Sequence, residues 1–217
     1  MAYDFNGTNQ YISAGSAPVA AVPLTMACWF SVDNTTANHT LISLSSTLGT
    51  FNNYFRIRAA GAVAGDPLQA TCAQDSTESV ATSTSAFSSG TFHHAAGVFS
   101  SNTSRTVYLD GGNSATSTEN ISPLNINSSQ IAAVFLRGIN AFSGFTDGRI
   151  AEVGIWSAAL TAAEVASLAK GMTCDKVRPQ NLVFYAPLVR DLQDVRGGLT
   201  ITNNNAATVA THPRVYA

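Results

Sequence analysis

The stretch Thr146-Asp147-Gly148-Arg149-Ile150-Ala151-Glu152-Val153-Gly154-Ile155-Trp156-Ser157-Ala158-Ala159-Leu160-Thr161-Ala162-Ala163-Glu164-Val165 reads as a strand, a tight turn and a short helix. Strict alternation from Arg149 would put Arg149, Ala151, Val153 and Ile155 on one face, and Ile150, Glu152, Gly154 and Trp156 on the other. Apolar residues on both faces describe a strand covered on both sides. The helix start is written as a capping box. The Thr161 hydroxyl can accept from the Glu164 amide while the Glu164 side chain reaches back. The helix then runs through Val165 and Leu168 and stops at Gly171.

Upstream, the chain is a series of short alternating segments. Leu24, Met26, Cys28, Phe30 and Val32 form one apolar face, with Thr25, Ala27, Trp29 and Ser31 opposite. This is the strongest period-two signal. Ala2 to Phe5 and Gln10 to Ser13 flank the turn Asn6-Gly7 and suggest a hairpin. Thr40–Leu44, Tyr54–Ala59, Leu68–Ala73, Ser79–Thr82, Thr91–Phe99, Arg105–Asp110 and Gln130–Arg137 continue the pattern, separated by polar turns. Ten to twelve short strands before one helix predict an all-β, antiparallel sandwich. After the helix, Asn181 to Leu188 reads as a final strand. Arg190, Asp191, Asp194 and Arg196 then concentrate charge, and Leu199 to Ala217 reads as a strand or an extended arm.

Composition narrows the function classes. The 217 residues are 45% hydrophobic but only 11% charged, so Ser, Thr, Asn and Gly must cover the surface. A net charge of −2 offers nothing to nucleic acid or to an anionic membrane. No apolar run is long enough to span a bilayer. Met1 to Phe5 lacks the basic and apolar regions of a signal peptide, which suggests a chain made in a cytoplasm. Cys28, Cys72 and Cys174 are too few and too far apart for a disulfide framework or a zinc site, and read as buried thiols.

A resemblance is carried by Met26-Ala27-Cys28-Trp29-Phe30, Phe92-His93-His94-Ala95-Ala96-Gly97-Val98, Val107-Tyr108-Leu109-Asp110-Gly111 and Phe145 to Leu160. In this order they resemble the laminin-G-like, concanavalin A-like jelly-roll superfamily, with Phe92 where that pattern usually has Trp. The similarity runs from residue 3 to about 170. It implies a concanavalin A-like β-sandwich over residues 1–171, with a short C-terminal helix. Residues 172–217 would then be a C-terminal strand and extended arm, packed on the sandwich or on a neighbour. The tail, from Lys170-Gly171 through Arg178-Pro179-Gln180 to His212-Pro213-Arg214-Val215-Tyr216, is similar to the ends of laminin-G-like proteins encoded among phage structural genes.

The residues offer little for catalysis. Glycoside hydrolases of this superfamily carry a Glu-x-Asp-x-Glu strand that presents two carboxylates. Asp147 to Glu152 is the best local match, but it lacks the second Glu and its odd spacing splits the pair across the strand. Glu152 reads as a structural carboxylate, and no Gly-x-Ser-x-Gly elbow occurs. The chain is therefore expected not to be an enzyme. His93 and His94 are neighbours on a strand, face opposite ways and cannot easily share a metal. The resemblance implies calcium as a possible cofactor, for which Asp110 and Asp147, with Asp33, are the weak candidates; no other cofactor is expected.

Two expectations remain. Low charge permits close packing of copies, and an arm can add a strand to a neighbour. With the phage-like tail, this points to a virion-surface decoration or cement protein. It would contact the major capsid protein or sister copies through Arg178, Arg190, Asp194, Arg196 and Tyr216. The alternative is a host-glycan-binding module of a phage tail or fibre. Such a module needs exposed aromatic rings, for which Trp29, Tyr54 and Tyr108 are candidates.

Overall fold

The computed structural model describes residues 2–189 and 191–216. They form two antiparallel sheets packed face to face. The first has the order Gly112–Ser117, Ser104–Leu109, His93–Ser101, Leu24–Val32, Asp147–Trp156, Ala2–Asn6, Thr208–Ala210, and Leu182–Ala186 also pairs with Asp147–Trp156. The second has the order Ile201–Asn204, Tyr11–Ala14, Ser128–Ile131, Asn38–Ser45, Tyr54–Ala60, Pro67–Gln74, Thr77–Ala86. The concanavalin A-like jelly roll expected from the sequence is this sandwich.

Period-two alternation builds the core. Leu24, Met26, Cys28, Phe30 and Val32 all point inward and meet Ile42, Leu44, Phe55 and Ile57 of the opposite sheet. Each such side chain contributes about 1.5–3 kcal/mol by leaving water. All three cysteines are buried and free, and burial pushes the Cys72 thiol up to about 11.

The strand Asp147–Trp156 departs from simple alternation. Its pairing with Leu24–Val32 shifts register between Ala151 and Gly154, and Glu152 sits at φ 53°. This is a β-bulge, which adds one residue and reverses the facing of everything after it. Ile150, Val153 and Ile155 therefore share the central core. Trp156 is turned outward instead, fully buried in a second apolar cluster with Leu160, Val165, Leu168 and Val177. Its indole N–H donates to the Val177 carbonyl at 2.8 Å.

The helix Ala162–Ala169 covers that cluster. Its capping box forms as expected: Glu164 N–H donates to Thr161 Oγ1, and Thr161 N–H to Glu164 Oε2 at 2.7 Å. Gly171 ends it at φ 97°, with Gly171 N–H on Leu168 O and Met172 N–H on Ser167 O. That double bond is a Schellman closure.

Two sequence expectations need correction. The strands either side of Asn6-Gly7 do not form a hairpin, because Ala2–Asn6 lies in one sheet and Tyr11–Ala14 in the other. The run from Gln130 to Arg137 is two strands, Ser128–Ile131 and Val134–Leu136, broken where Ala132 takes φ 69°. The second pairs with Ala141–Ser143 as a separate hairpin.

The tail pairs within its own chain. Leu182–Ala186 and Thr208–Ala210 extend the first sheet, and Ile201–Asn204 extends the second. Its return is fixed at the bulge. Tyr185 donates its hydroxyl to Glu152 Oε2 at 2.5 Å, and His212 Nε2 stands 3.2 Å from Glu152 Oε1. Burial, reinforced by the neighbouring acidic groups, holds the Tyr185 hydroxyl well above its usual range.

Two measurements test this packing. A Cβ on Gly154 would stand 2.6 Å from the Trp156 ring and 2.7 Å from Cys174 Sγ, whereas one on Gly15 would meet nothing within 4 Å. In urea titration, Gly154→Ala should cost about 1–3 kcal/mol, and Gly15→Ala should stay within ~0.5 kcal/mol. His94 is fully buried, and burial pushes its imidazole down to about 4, from 6.5. The unfolded chain therefore takes up this proton first as pH falls from 6.5 to 4, and stability drops across that window. The loss should approach ~3 kcal/mol. His94→Phe, followed by urea midpoints at several pH values, should remove most of that slope.

Candidate aromatic surface site

The three rings proposed from sequence are not brought together. Tyr54 belongs to the second sheet and is only 6% exposed. Its hydroxyl donates to Glu78 at 2.7 Å, the Arg56 guanidinium lies 4.8 Å from its ring centroid, and Val134 packs beside it. Burial raises its hydroxyl pKa. It is a packed ring, not an exposed platform. Trp29 and Tyr108 lie on the other sheet. Trp29 is partly exposed but set edge-on to buried His94 at 5.4 Å. Tyr108 packs against the helix-covered cluster.

The calcium candidates are engaged otherwise. Asp110 accepts from His93 Nδ1 and from His94 N–H, both at 2.8 Å. Burial alone would raise its carboxyl, but these bonds hold it below the usual carboxylate range. Asp147 accepts from Asn34 Nδ2 at 2.9 Å, and Asp33 lies 3.6 Å from Arg149. Among the described residues, no three His, Cys, Asp or Glu side chains converge as a metal site. Glu152 is buried and bonded to Tyr185, so its carboxylate does not face a cleft.

The tail charges expected to make assembly contacts mostly hold the tail in place. Arg178 grips Glu164 with two nitrogens at 2.8 Å. Asp194 is 7% exposed and accepts from four backbone amides, those of Tyr185, Arg196, Gly197 and Leu199. Arg196 donates to the carbonyls of Leu182 and Pro179. These three side chains are bonded within the chain. Tyr216 is 63% exposed. Arg190 lies outside the described residues.

A different aromatic group stands on the surface. The hairpin Val134–Ser143 lies over the outer face of the second sheet, where the Ala133 carbonyl accepts from the Ser43 hydroxyl. Gly138 N–H donates to Asn52 Oδ1 at 2.8 Å, and Arg137 Nε to the Gly49 carbonyl at 2.7 Å. Phe135 and Phe142 are cross-strand partners with ring centroids 5.2 Å apart. Phe142 meets Tyr11 at 4.3 Å, and Phe145 meets Tyr11 at 6.1 Å. Ile12 points into the core, so Tyr11 and Ser13 point outward onto the same face as the hairpin. All four rings are partly exposed.

Polar groups border this cluster on one side. Asn204 is the register partner of Tyr11 and donates to Ser13 Oγ at 3.0 Å. Gln10 and Asn205 tie the adjoining turn through backbone carbonyls. On the other side the sheet face is self-satisfied, with Ser45 donating to Gln130 Oε1 and the Ser43 hydroxyl beside the same oxygen at 2.9 Å. The arrangement is a set of mutually packed, partly exposed rings with amide and hydroxyl groups beside them. It suits a ligand with both C–H faces and hydroxyls. Sequence reading missed these rings because they come from three separate segments. The one available signal was the spacing of Phe135, Phe142 and Phe145 around Gly138 and Gly144.

Comparison with known proteins bears on the fold. No curated protein sequence matches the chain. A SAP-like pentraxin from Limulus polyphemus superimposes with a TM-score of 0.63 at 15% identity, over 96% of this chain and 97% of that one. A putative carbohydrate-binding protein from Bacteroides ovatus gives 0.63 at 19% identity, over 96% of this chain and 61% of that one. The CBM40 of a Ruminococcus gnavus sialidase, bound to α2,3-sialyllactose, gives 0.61 at 10% identity, over 78% and 98%. At such identities the likeness is one of fold. The sequence profile of the Concanavalin A-like lectin/glucanases superfamily, in its laminin G-type form, matches residues 6–166. With the two sheets and their strand order, that match makes the chain a member of the concanavalin A-like lectin/glucanases superfamily.

Proposed function

We propose that this chain is a non-catalytic, lectin-like module that binds glycans on the aromatic face formed by Tyr11, Phe135, Phe142 and Phe145. The observation that carries the reading is that face: four partly exposed rings, fixed by a hairpin and bordered by Asn204 and Ser13. Sugar rings present flat C–H surfaces to aromatic side chains and hydroxyls to amides. The putative carbohydrate-binding protein of Bacteroides ovatus and the sialyllactose-bound CBM40 of Ruminococcus gnavus share this fold and support the ligand class. The absence of catalysis is supported by the engagement of Glu152 with Tyr185 and of Asp147 with Asn34.

The reading as a capsid decoration protein drew on low surface charge, an extended arm and a phage-like tail, with charged tail residues as the contacts. The arm pairs with its own sheets, and Arg178, Asp194 and Arg196 are bonded within the chain. The glycan-binding reading has more behind it.

A glycan array followed by calorimetry tests the proposal. At least one neutral oligosaccharide should bind, and Tyr11→Ala and Phe142→Ala should each weaken it by about tenfold, the equivalent of a lost stacking contact of ~1.4 kcal/mol. Trp29→Ala should leave affinity within twofold. Binding by no glycan would refute the function. Binding that survives both ring deletions, with melting unchanged, would refute this face as the site.

A further inference from the structure

The chain contains only two lysines, Lys170 and Lys176. Both line one groove of about 510 Å³, together with Ser167, Met172 and Tyr216. The groove lies beyond the C-terminal end of the helix Ala162–Ala169. This helix packs on Ala27, Ala96 and Val98, on the outer face of the first sheet. The aromatic face described above is on the outer side of the second sheet, so the two are on opposite sides of the sandwich.

The groove is built by the return of the tail. Tyr216 forms a parallel bridge with Met172, its N–H donates to the Gly171 carbonyl at 2.5 Å, and its own carbonyl accepts from Thr173 N–H at 3.3 Å. This pairing fixes the backbone of Tyr216 and leaves its side chain 63% exposed beside Met172, which is 42% exposed. Lys176 Nζ is 3.1 Å from Asp175 Oδ2, and Asp175 also accepts from the Thr173 hydroxyl. Lys170 is exposed and has no ion pair among the described residues. Its position at the helix C-cap accounts for one favourable cation there. It does not account for a second lysine in the same groove, nor for an exposed tyrosine and methionine between them.

We propose that this groove is a second saccharide site, selective for sugars that carry an acidic group, carboxylate or sulfate. Its volume is in the range of small-ligand sites, ~300–1,000 Å³. Tyr216 and Met172 offer an apolar surface to a sugar face, Lys170 supplies an uncompensated charge, and Lys176 adds a cation that Asp175 partly offsets. The choice of saccharide as ligand class rests on the reading above; the acidic selectivity rests on the groove alone.

The test uses the full chain, labelled with nitrogen-15, and three trisaccharides that differ only in the terminal sugar: a uronic acid, a 6-sulfated sugar and the neutral parent. The uronate, the sulfate or both should shift the amides of Lys170, Gly171, Met172 and Lys176, and the neutral sugar should not. Whichever acidic probe shifts them identifies the anion. Lys170→Ala should weaken that probe by about fivefold, Lys170→Arg should retain it, and Asp175→Asn should tighten it. Tyr11→Ala should leave these shifts in place, which separates failure of the aromatic face from failure of the groove. Equal binding of neutral and acidic sugars here, or acidic binding indifferent to Lys170→Ala, would overturn the proposal. So would sodium acetate or sodium sulfate matching the affinity of the acidic trisaccharide.

Discussion

One extra residue in the strand Asp147–Trp156 sets the terms for the rest of the molecule. The bulge at Glu152 lets a single strand serve two apolar interiors. Before and after it, Ile150, Val153 and Ile155 fill the space between the sheets, while Trp156 faces outward and roofs a second cluster. Without the inserted residue, the period of two would place Ile150 and Val153 on opposite faces. A non-glycine residue at φ 53° is strained, of order 1–3 kcal/mol. The buried Trp156, with its hydrogen bond to Val177, offsets that cost and fixes where the helix must lie.

The same bulge organises the tail. Glu152 would be a costly buried carboxylate if left alone. Tyr185 and His212, both from the tail, approach its two oxygens, and Asp194 gathers four backbone amides to turn the chain between them. These polar groups of the tail are taken up in seating it. Near its end Tyr216 stays exposed at the lysine-lined groove.

Much of the architecture was legible in the residues. The alternation of Leu24 to Val32, the capping box at Thr161 and the stop at Gly171 are local signals, and local signals survive folding. The failures share a cause. Whether Asn6-Gly7 turns back on itself or crosses between sheets is decided by partners far along the chain, Asp147–Trp156 for one strand and Ser128–Ile131 for the other. The bulge at Glu152 leaves no trace in a run already apolar on both faces. Candidate rings on alternating strands fared worst. Period two says that Tyr54 faces away from the core, but not that Val134 and Arg56 will cover it. The aromatic face is the converse case: Tyr11 and Phe142 are unremarkable in sequence and become a site only when a hairpin lies across the sheet.

The strand Ala2–Asn6 lies between Asp147–Trp156 and Thr208–Ala210, with Ala2 opposite Ala210. Both of its partners therefore follow it far along the chain. Neither sheet has its full set of strands until the tail has emerged, and pairings between such distant residues form slowly. Until Asp147–Trp156 has been made, the strand Ala2–Asn6 has no partner strand to pair with. Folding of this sandwich must therefore wait for synthesis through Ala210, so that an early strand waits for a late one.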